Sequence, residues 1–262
     1  MREQAAGVRW YLGTMGYGFK DWVGVFYPPD LKPRDFLAWY SRHFNAVEMD
    51  STFYAPPAAA HVRRWFTITP DDFTFCPKMP RDILLAARTE DPRAAVHAFV
   101  ERVALLEHKL GPILLQFPPD FDRARFLPAF ERLLHALPPT QRYAVEFRHR
   151  SWFVRETIHL LRAHGVAWVA ADYEGVPKQV LATTDFLYLR WIDRHGRYAQ
   201  KNREQRDVTP RLRWWLERIE ARLPHVSAVY GFFNNQYAGH LPATCNRFKE
   251  LVGLPVHSAR LL

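Results

Sequence analysis

Eight short apolar segments, separated by stretches with helical periodicity, constrain the fold of this 262-residue chain more than any other feature. Most are continuous apolar runs rather than alternating ones, which is typical of parallel strands buried on both faces. The predicted strands are Trp10–Gly13, Ala46–Met49, Phe73–Pro77, Ile113–Phe117, Tyr143–Phe147, Ala167–Ala171, Phe186–Trp191 and Ala228–Phe233. The predicted helices between them include Arg34–Phe44, Arg93–Leu110, Arg123–Leu137, Trp152–His164 and Pro210–Leu223.

Strand alternating with helix eight times predicts an α/β fold, a single (β/α)8 TIM barrel. We expect one domain over residues 1–262, with residues 1–8 as an N-terminal extension. The alternative is an open doubly wound sheet, which normally has a GxGxxG turn after its first strand. The glycines of residues 13–18 do not have that spacing. The connection from Asp172 to Asp185 is short and contains Pro177, so its helix is expected to be reduced.

Composition narrows the class of protein. No apolar run approaches the roughly 18 residues of a membrane span, and the N-terminus has no apolar signal region, so we expect a soluble cytoplasmic protein. Cys76 and Cys245 are too few for a disulfide framework and are expected to be buried free thiols.

The 36 Lys and Arg residues exceed the 27 Asp and Glu residues, giving a net charge of +9. This excess favours an anionic partner, a phosphate-bearing small molecule or a nucleic acid.

Polar residues follow the ends of the predicted strands, where a TIM barrel carries its site. In chain order they are Thr14, Glu48, Asp50, Thr52, Tyr54, Lys78, Gln116, Glu146, Arg148, Asp172, Arg190 and Asn234, and the aromatic Trp152 lies near them after the fifth strand. An unpaired buried charge is costly, so Glu146, which directly follows the apolar run of residues 143–145, needs cationic neighbours. We therefore expect Lys78, Arg148 and Arg190 to balance the carboxylates at one end of the barrel.

The candidate catalytic residues are Glu146, Glu48, Lys78 and Asp172, and the other residues just named, Trp152 included, are candidates for substrate binding. Glu48 and Glu146 are compatible with the carboxylate pair of a glycoside hydrolase. Lys78 is compatible with a Schiff base if its pKa is lowered.

No cofactor and no transition metal are predicted. Hydrolytic barrels with several metals carry multiple histidines at strand ends. In this chain the histidines near predicted strand ends are His149 and His195. A single Mg²⁺ held by carboxylates remains compatible with the sequence.

Six motifs together resemble the family called domain of unknown function 72, the YecE-like proteins. They are GTMGYGFKDWVGVFYP, VEMDSTFY, FTFCPKMP, LGPILLQFPPDF, YAVEFRHRSW and YGFFNNQYAGHLPATCNRFKEL, which run in the family's order over nearly the whole chain. The resemblance implies a TIM barrel. The signature positions that it implies are Glu48, Ser51, Thr52, Phe53, Tyr54, Lys78, Gln116, Glu146, Arg148, Asp172, Arg190 and Asn234.

The family's barrel is similar to that of DNA-repair endonucleases of the endonuclease IV type, which implies nucleic-acid binding by fold-level analogy. This chain departs from those enzymes because it lacks their histidine-rich metal set. It also departs from the family, since Met79 and Pro80 follow Lys78 where Thr-His is frequent.

Three functions are compatible with these features. The first is an enzyme, a hydrolase or a lyase, acting on a phosphate-bearing or nucleic-acid-like substrate. The second is a nucleic-acid-binding protein without catalysis, which uses charge and aromatic stacking. The third is a carbohydrate-active enzyme using Glu48 and Glu146.

Overall fold

The computed structural model describes residues 7–194 and 196–256. His195 and most of the predicted N-terminal extension lie outside the described residues. The strands are β1 (Arg9–Met15), β2 (Ala46–Met49), β3 (Thr74–Pro77), β4 (Ile113–Phe117), β5 (Tyr143–Phe147), β6 (Val166–Asp172), β7 (Phe186–Trp191) and β8 (Ala228–Phe233). Each predicted strand is therefore present, with boundaries that differ by two residues at most.

All paired strands are parallel, in the order β3-β2-β1-β8-β7-β6-β5-β4. The sheet is nearly closed where β3 meets β4. At this seam the Met79 N–H donates to the Leu114 carbonyl at 2.8 Å, and the Gly111 N–H donates to the Phe75 carbonyl at 2.8 Å. The predicted (β/α)8 barrel is thereby confirmed, and the open doubly wound alternative is wrong.

The α-helices among the described residues lie in the connections between strands and after β8. They are α1 (Phe36–Tyr40), α2 (Ala59–Ile68), α3 (Arg81–Ala86), α4 (Arg93–Val103), α5 (Arg123–Ala136), α6 (Arg155–Ala163), α7 (Thr209–Glu220), α8 (Asn235–Ala238) and α9 (Leu241–Leu251). The predicted helix Arg93–Leu110 ends early because a 3-10 segment with a positive φ at Glu107 follows α4. Residues 173–185 form no helix, as the short sixth connection predicts.

Side chains alternate between the barrel interior and the helix layer along each strand. In β2, Ala46 packs in the interior cluster, whereas Val47 and Met49 pack with the helices. The interior combines small residues, such as Ala144 and Ala167 of adjacent strands, with large aromatic ones from β7 and β8. This alternation decides which strand-end residues meet inside the barrel.

Gly13 marks a close approach between β1 and β2. A Cβ at this position would lie 1.9 Å from the Ala46 carbonyl oxygen and 2.7 Å from the Tyr40 hydroxyl. Only glycine leaves room for this pairing.

Cys76 and Cys245 are free and buried, as expected. Among residues 7–194 and 196–256, none of the helices has the length and apolar character needed to cross a bilayer.

Candidate active site at the carboxyl end of the barrel

A largely buried network of four charged side chains and one amide fills the interior at the carboxyl ends of β2, β3, β4, β5 and β7. Its members are Glu48, Lys78, Gln116, Glu146 and Arg190. Each stands two residues beyond an interior side chain of its strand, as Glu48 stands beyond Ala46 and Arg190 beyond Tyr188. Alternation along the strands therefore brings all of them to the inside of the barrel.

Arg190 is the centre of the network. Its Nε donates to Oε2 of Glu48 at 2.9 Å, and its Nη2 donates to Oε1 of the same carboxylate at 2.8 Å. Its Nη1 donates to Glu146 and, at 3.0 Å, to Oε1 of Gln116. With only 3% of its side chain exposed, Arg190 uses every guanidinium nitrogen inside the protein. Its geometry suits fixing the two glutamates, and it has no nitrogen left to contact a ligand.

Glu146 is stabilised by two cations. Besides Arg190, the Nε of Arg148 donates to its Oε1 at 2.7 Å. Burial by itself would raise the pKa of Glu146, but the charges of Arg190 and Arg148 outweigh burial and hold this pKa at about 2. The glutamate that ends the apolar strand β5 is therefore ionised and paired.

Glu48 has a different environment, although it shares the same arginine. Burial raises its pKa; Arg190 acts in the opposite direction and the nearby Asp50 adds to the rise. The Tyr188 hydroxyl donates to its Oε2 at 2.9 Å. The two glutamates therefore have pKa values displaced in opposite directions, although they share one arginine.

Lys78 extends the network toward the mouth of the barrel. Its Nζ donates to Oδ1 of Asp50 at 2.9 Å and to Oε1 of Gln116 at 3.0 Å, and it lies 4.5 Å from the centre of the Phe53 ring. The single oxygen of Gln116 thus accepts from both Lys78 and Arg190. The Thr52 hydroxyl accepts from the Lys78 backbone N–H at 2.8 Å and holds the loop after β2 against β3.

The rim above the network contains the side chains that a ligand would meet. Asp50 has 38% of its side chain exposed and Arg148 has 20%. Arg148 lies over the Tyr173 ring at 4.5 Å. Tyr54 is 77% exposed. Because Arg148 uses only its Nε toward Glu146 among the described residues, its terminal nitrogens remain available.

Two residues expected in the site point instead into the helix layer. The Thr14 hydroxyl bonds to the Tyr40 hydroxyl at 2.9 Å. Asp172 accepts from Arg211, from Nε1 of Trp215 at 2.8 Å and from the Tyr237 hydroxyl at 2.9 Å. Both residues stand one position away from an interior residue of their strand, so alternation turns them outward.

Two further candidates have local structural contacts. Trp152 is fully buried, stacks on Phe147 at 4.4 Å and donates its Nε1–H to the Phe121 carbonyl at 2.6 Å. Burial in the outer layer leaves it no surface for a substrate. Asn234 caps α8 by accepting from the Gln236 N–H at 3.0 Å.

Tyr188 and Arg211 were not predicted from the sequence. Tyr188 was detectable, because it precedes Arg190 by two positions in the run FLYLRW and so shares its face. Arg211 was not detectable, since it reaches Asp172 across 39 residues.

Among residues 7–194 and 196–256, no three His, Cys, Asp or Glu side chains are grouped closely enough to hold a metal ion. The expectation of no transition metal stays a prediction.

The fold and the strand-end network define a TIM-barrel protein with a charged cluster at the carboxyl end of its strands. The chain belongs to the family described as "Protein of unknown function DUF72", whose sequence pattern matches residues 11–261.

Two similar proteins match most of the chain, and a third matches a little under half of it. UPF0759 protein YunF of Bacillus subtilis (strain 168) is 28% identical over 271 residues, covering 93% of this chain and 95% of that protein. UPF0759 protein YecE of Escherichia coli (strain K12) is 40% identical over 119 residues, covering 45% and 43%. The crystal structure of a DUF72 family protein from Thermotoga maritima MSB8 aligns with a TM-score of 0.81 at 32% identity, covering 94% and 99%.

Proposed function

We propose that this protein is an enzyme that acts on a phosphate-bearing substrate at the carboxyl end of the barrel. The observation that carries this proposal is the buried Glu48–Arg190–Glu146 network beneath an ion pair of buried Lys78 with partly exposed Asp50. Buried ion pairs often contribute less stability than apolar side chains of the same volume. A charged network in the interior of a barrel is therefore better explained by function than by stability.

The proposed roles follow from exposure. Arg148, 20% exposed, has donors near the rim, and Lys78 lies just beneath it beside Asp50; these two cations would hold the anionic group. Asp50 is the most exposed carboxylate of the site and would accept or donate the proton. Glu48 and Glu146 are 0% and 1% exposed, and would act by fixing the charges of Arg190 and Arg148.

The geometry favours the carbohydrate-active alternative less. A glycosidase needs two carboxyl groups that face the scissile bond across open space. Here Glu48 and Glu146 both bind the guanidinium of Arg190, which occupies the position between them that a sugar would need.

Nucleic-acid binding without catalysis remains the second candidate. It is favoured by Tyr54, whose 77% exposure beside the mouth suits stacking on a base. The net charge of +9 adds a long-range attraction for a polyanion.

A substrate panel distinguishes these functions. Phosphomonoesters, phosphodiesters, oligonucleotides and glycosides are incubated with the protein and with Asp50→Asn. The matched control is Asp185→Asn, because Asp185 also pairs with a cation, Arg142 at 3.0 Å, but lies at the amino end of β7. We expect turnover of a phosphate ester to fall by about 100-fold or more in Asp50→Asn and to stay within about twofold in the control.

Three results would count against the proposal. Turnover of glycosides alone would favour the carbohydrate-active alternative. Oligonucleotide binding with no turnover in any class would favour the binding protein. Equal activity of Asp50→Asn and Asp185→Asn would remove Asp50 from the chemistry.

A further inference from the structure

A basic cleft of about 630 Å³ lies between the segment that follows β6 and the segment that follows β7. We call it the β6–β7 cleft. Five basic side chains line it, namely Lys178, Arg194, Arg197, Arg206 and Arg211. The cleft is distinct from the buried network, whose five members do not line it.

Two carboxylates hold most of these cations in place. Asp193 accepts from Arg197 at 2.8 Å, from Arg206 at 2.7 Å and from the backbone N–H of Arg194 at 2.7 Å. Asp172 binds Arg211 and lies 4.0 Å from Nζ of Lys178. Because Asp172 points outward, it holds the guanidinium of Arg211 at the wall of the cleft.

The charge of the cleft is not balanced internally. Its five basic side chains face three carboxylates, those of Asp172, Glu174 and Asp193. The side chain of Arg194 makes no hydrogen bond or ion pair with another residue in the described part of the chain. An excess of two positive charges matches a phosphate monoester, which carries about −1.5 to −2 at pH 7. Guanidinium groups also match the geometry of phosphate oxygens.

The cleft adjoins the mouth of the barrel. Ile192, which lines the cleft, packs in the barrel interior two positions beyond Arg190. Tyr173 lies between the cleft residues Asp172 and Glu174 in the sequence. The guanidinium of the rim residue Arg148 packs over the Tyr173 ring. A ligand held in the cleft would therefore lie beside the proposed reaction site.

We infer that the β6–β7 cleft binds a terminal phosphate monoester, with Arg194 and Arg197 contacting the phosphate and Asp193 positioning Arg197. The phosphate belongs either to a free nucleotide or to the 5′ end of a strand. This inference rests on the proposed function in one respect, since it names the class of substrate that the neighbouring site would receive.

Calorimetric titration tests the inference with two pairs of probes. One pair is thymidine 5′-monophosphate and thymidine; the other is a hexanucleotide with and without a 5′-phosphate. We expect the phosphate to improve affinity by about tenfold or more in at least one pair, because charge-assisted hydrogen bonds to a phosphate are stronger than neutral ones. The pair that responds identifies the source of the phosphate. Absence of any difference in both pairs would overturn the inference.

Variants separate the cleft from the diffuse charge of the protein. Arg194→Ala/Arg197→Ala removes two exposed cleft arginines, and Arg9→Ala/Arg213→Ala removes two exposed arginines that do not line the cleft. Both carry the same charge change. We expect the cleft variant to lose the phosphate-dependent gain and the control to change affinity less than about twofold at 150 mM salt. Equal losses in both would overturn the inference.

The same variants distinguish failure of the inference from failure of the proposed function. If Asp50→Asn lowers turnover while the cleft variant binds phosphate normally, the reaction site stands and the cleft assignment falls. If the cleft variant loses phosphate binding while Asp50→Asn leaves turnover of the panel unchanged, the cleft stands and the proposed chemistry falls.

Discussion

Replacing Arg190 with methionine tests whether the buried network depends on one guanidinium. The substitution keeps an unbranched, flexible side chain, although a shorter one, and removes the hydrogen bonds to Glu48, Glu146 and Gln116. Removing one partner of a buried ion pair costs about 3–5 kcal/mol, because the other charge stays buried without compensation. Glu48 loses its guanidinium partner here, whereas Glu146 loses one of two and retains Arg148. We therefore expect a loss in unfolding free energy at the upper end of that range at pH 8.

The loss should depend on pH. In the unchanged protein the pKa of Glu146 is about 2, below the value of about 4.3 in an unfolded chain. Its contribution to stability is thus present above pH 4.3 and is lost as the pH falls toward 2. Without Arg190, burial raises the pKa of both glutamates, and such groups lose stability as the pH rises through the raised values. The deficit of Arg190→Met should therefore be smaller at pH 5 than at pH 8.

Urea unfolding at pH 5 and pH 8 measures both effects, with the slope m used to check that the unfolded state is unchanged. The control is Arg142→Met, because Arg142 pairs with Asp185 at 3.0 Å but is 45% exposed. An exposed pair contributes at most about 1 kcal/mol. A deficit for Arg190→Met no larger than that of Arg142→Met, or one that is equal at the two pH values, would refute the reasoning.

Three further substitutions test the scaffold. Gly13→Ala should cost several kcal/mol in thermal unfolding or prevent soluble expression, because its Cβ would lie 1.9 Å from the Ala46 carbonyl oxygen. The control Gly18→Ala has open space around its Cβ and should change the stability by less than about 1 kcal/mol. Trp152→Ala should cost about 3–5 kcal/mol in urea unfolding; if Trp152→Phe impairs phosphate-ester turnover without loss of stability, Trp152 belongs to the site after all. Thr52→Val should cost about 1–3 kcal/mol of stability, because it leaves the buried backbone N–H of Lys78 without its acceptor. Thr52→Ser keeps a hydroxyl and should retain most of that stability. Equal stability of the two variants would contradict the assigned hydrogen bond.

The barrel could be predicted from the sequence because most strands are short, mainly apolar runs. The segment YAVEF is an example, since only its glutamate is polar, both of its faces are buried and its boundaries in the structure match the prediction. Residues 173–185 were also predictable, because a short connection containing Pro177 leaves little room for a helix. Helix ends were less predictable, since the positive φ of Glu107 that follows α4 has no local sequence signal.

The candidate site was predicted less completely, for a specific physical reason. Position at a strand end indicates that Thr14, Glu48 and Asp172 lie at the same end of the barrel, but it does not indicate which face they occupy. Counting alternate positions from an interior residue would have assigned Glu48 inward and Asp172 outward. The pairing of Asp172 with Arg211 depends on how α7 packs, which the sequence around either residue does not indicate.

The seam between β3 and β4 links ligand binding to local opening of the barrel. Few backbone hydrogen bonds join these strands, and the side-chain bond from Lys78 to Gln116 crosses the same boundary at 3.0 Å. A ligand that draws Lys78 away from Gln116 would release one of the few ties at this boundary, whereas a ligand that bridges the two would add another. Amide hydrogen exchange at Met79 and Gly111, whose N–H groups cross the seam, should therefore respond to occupancy of the mouth sooner than exchange within the fully paired strands.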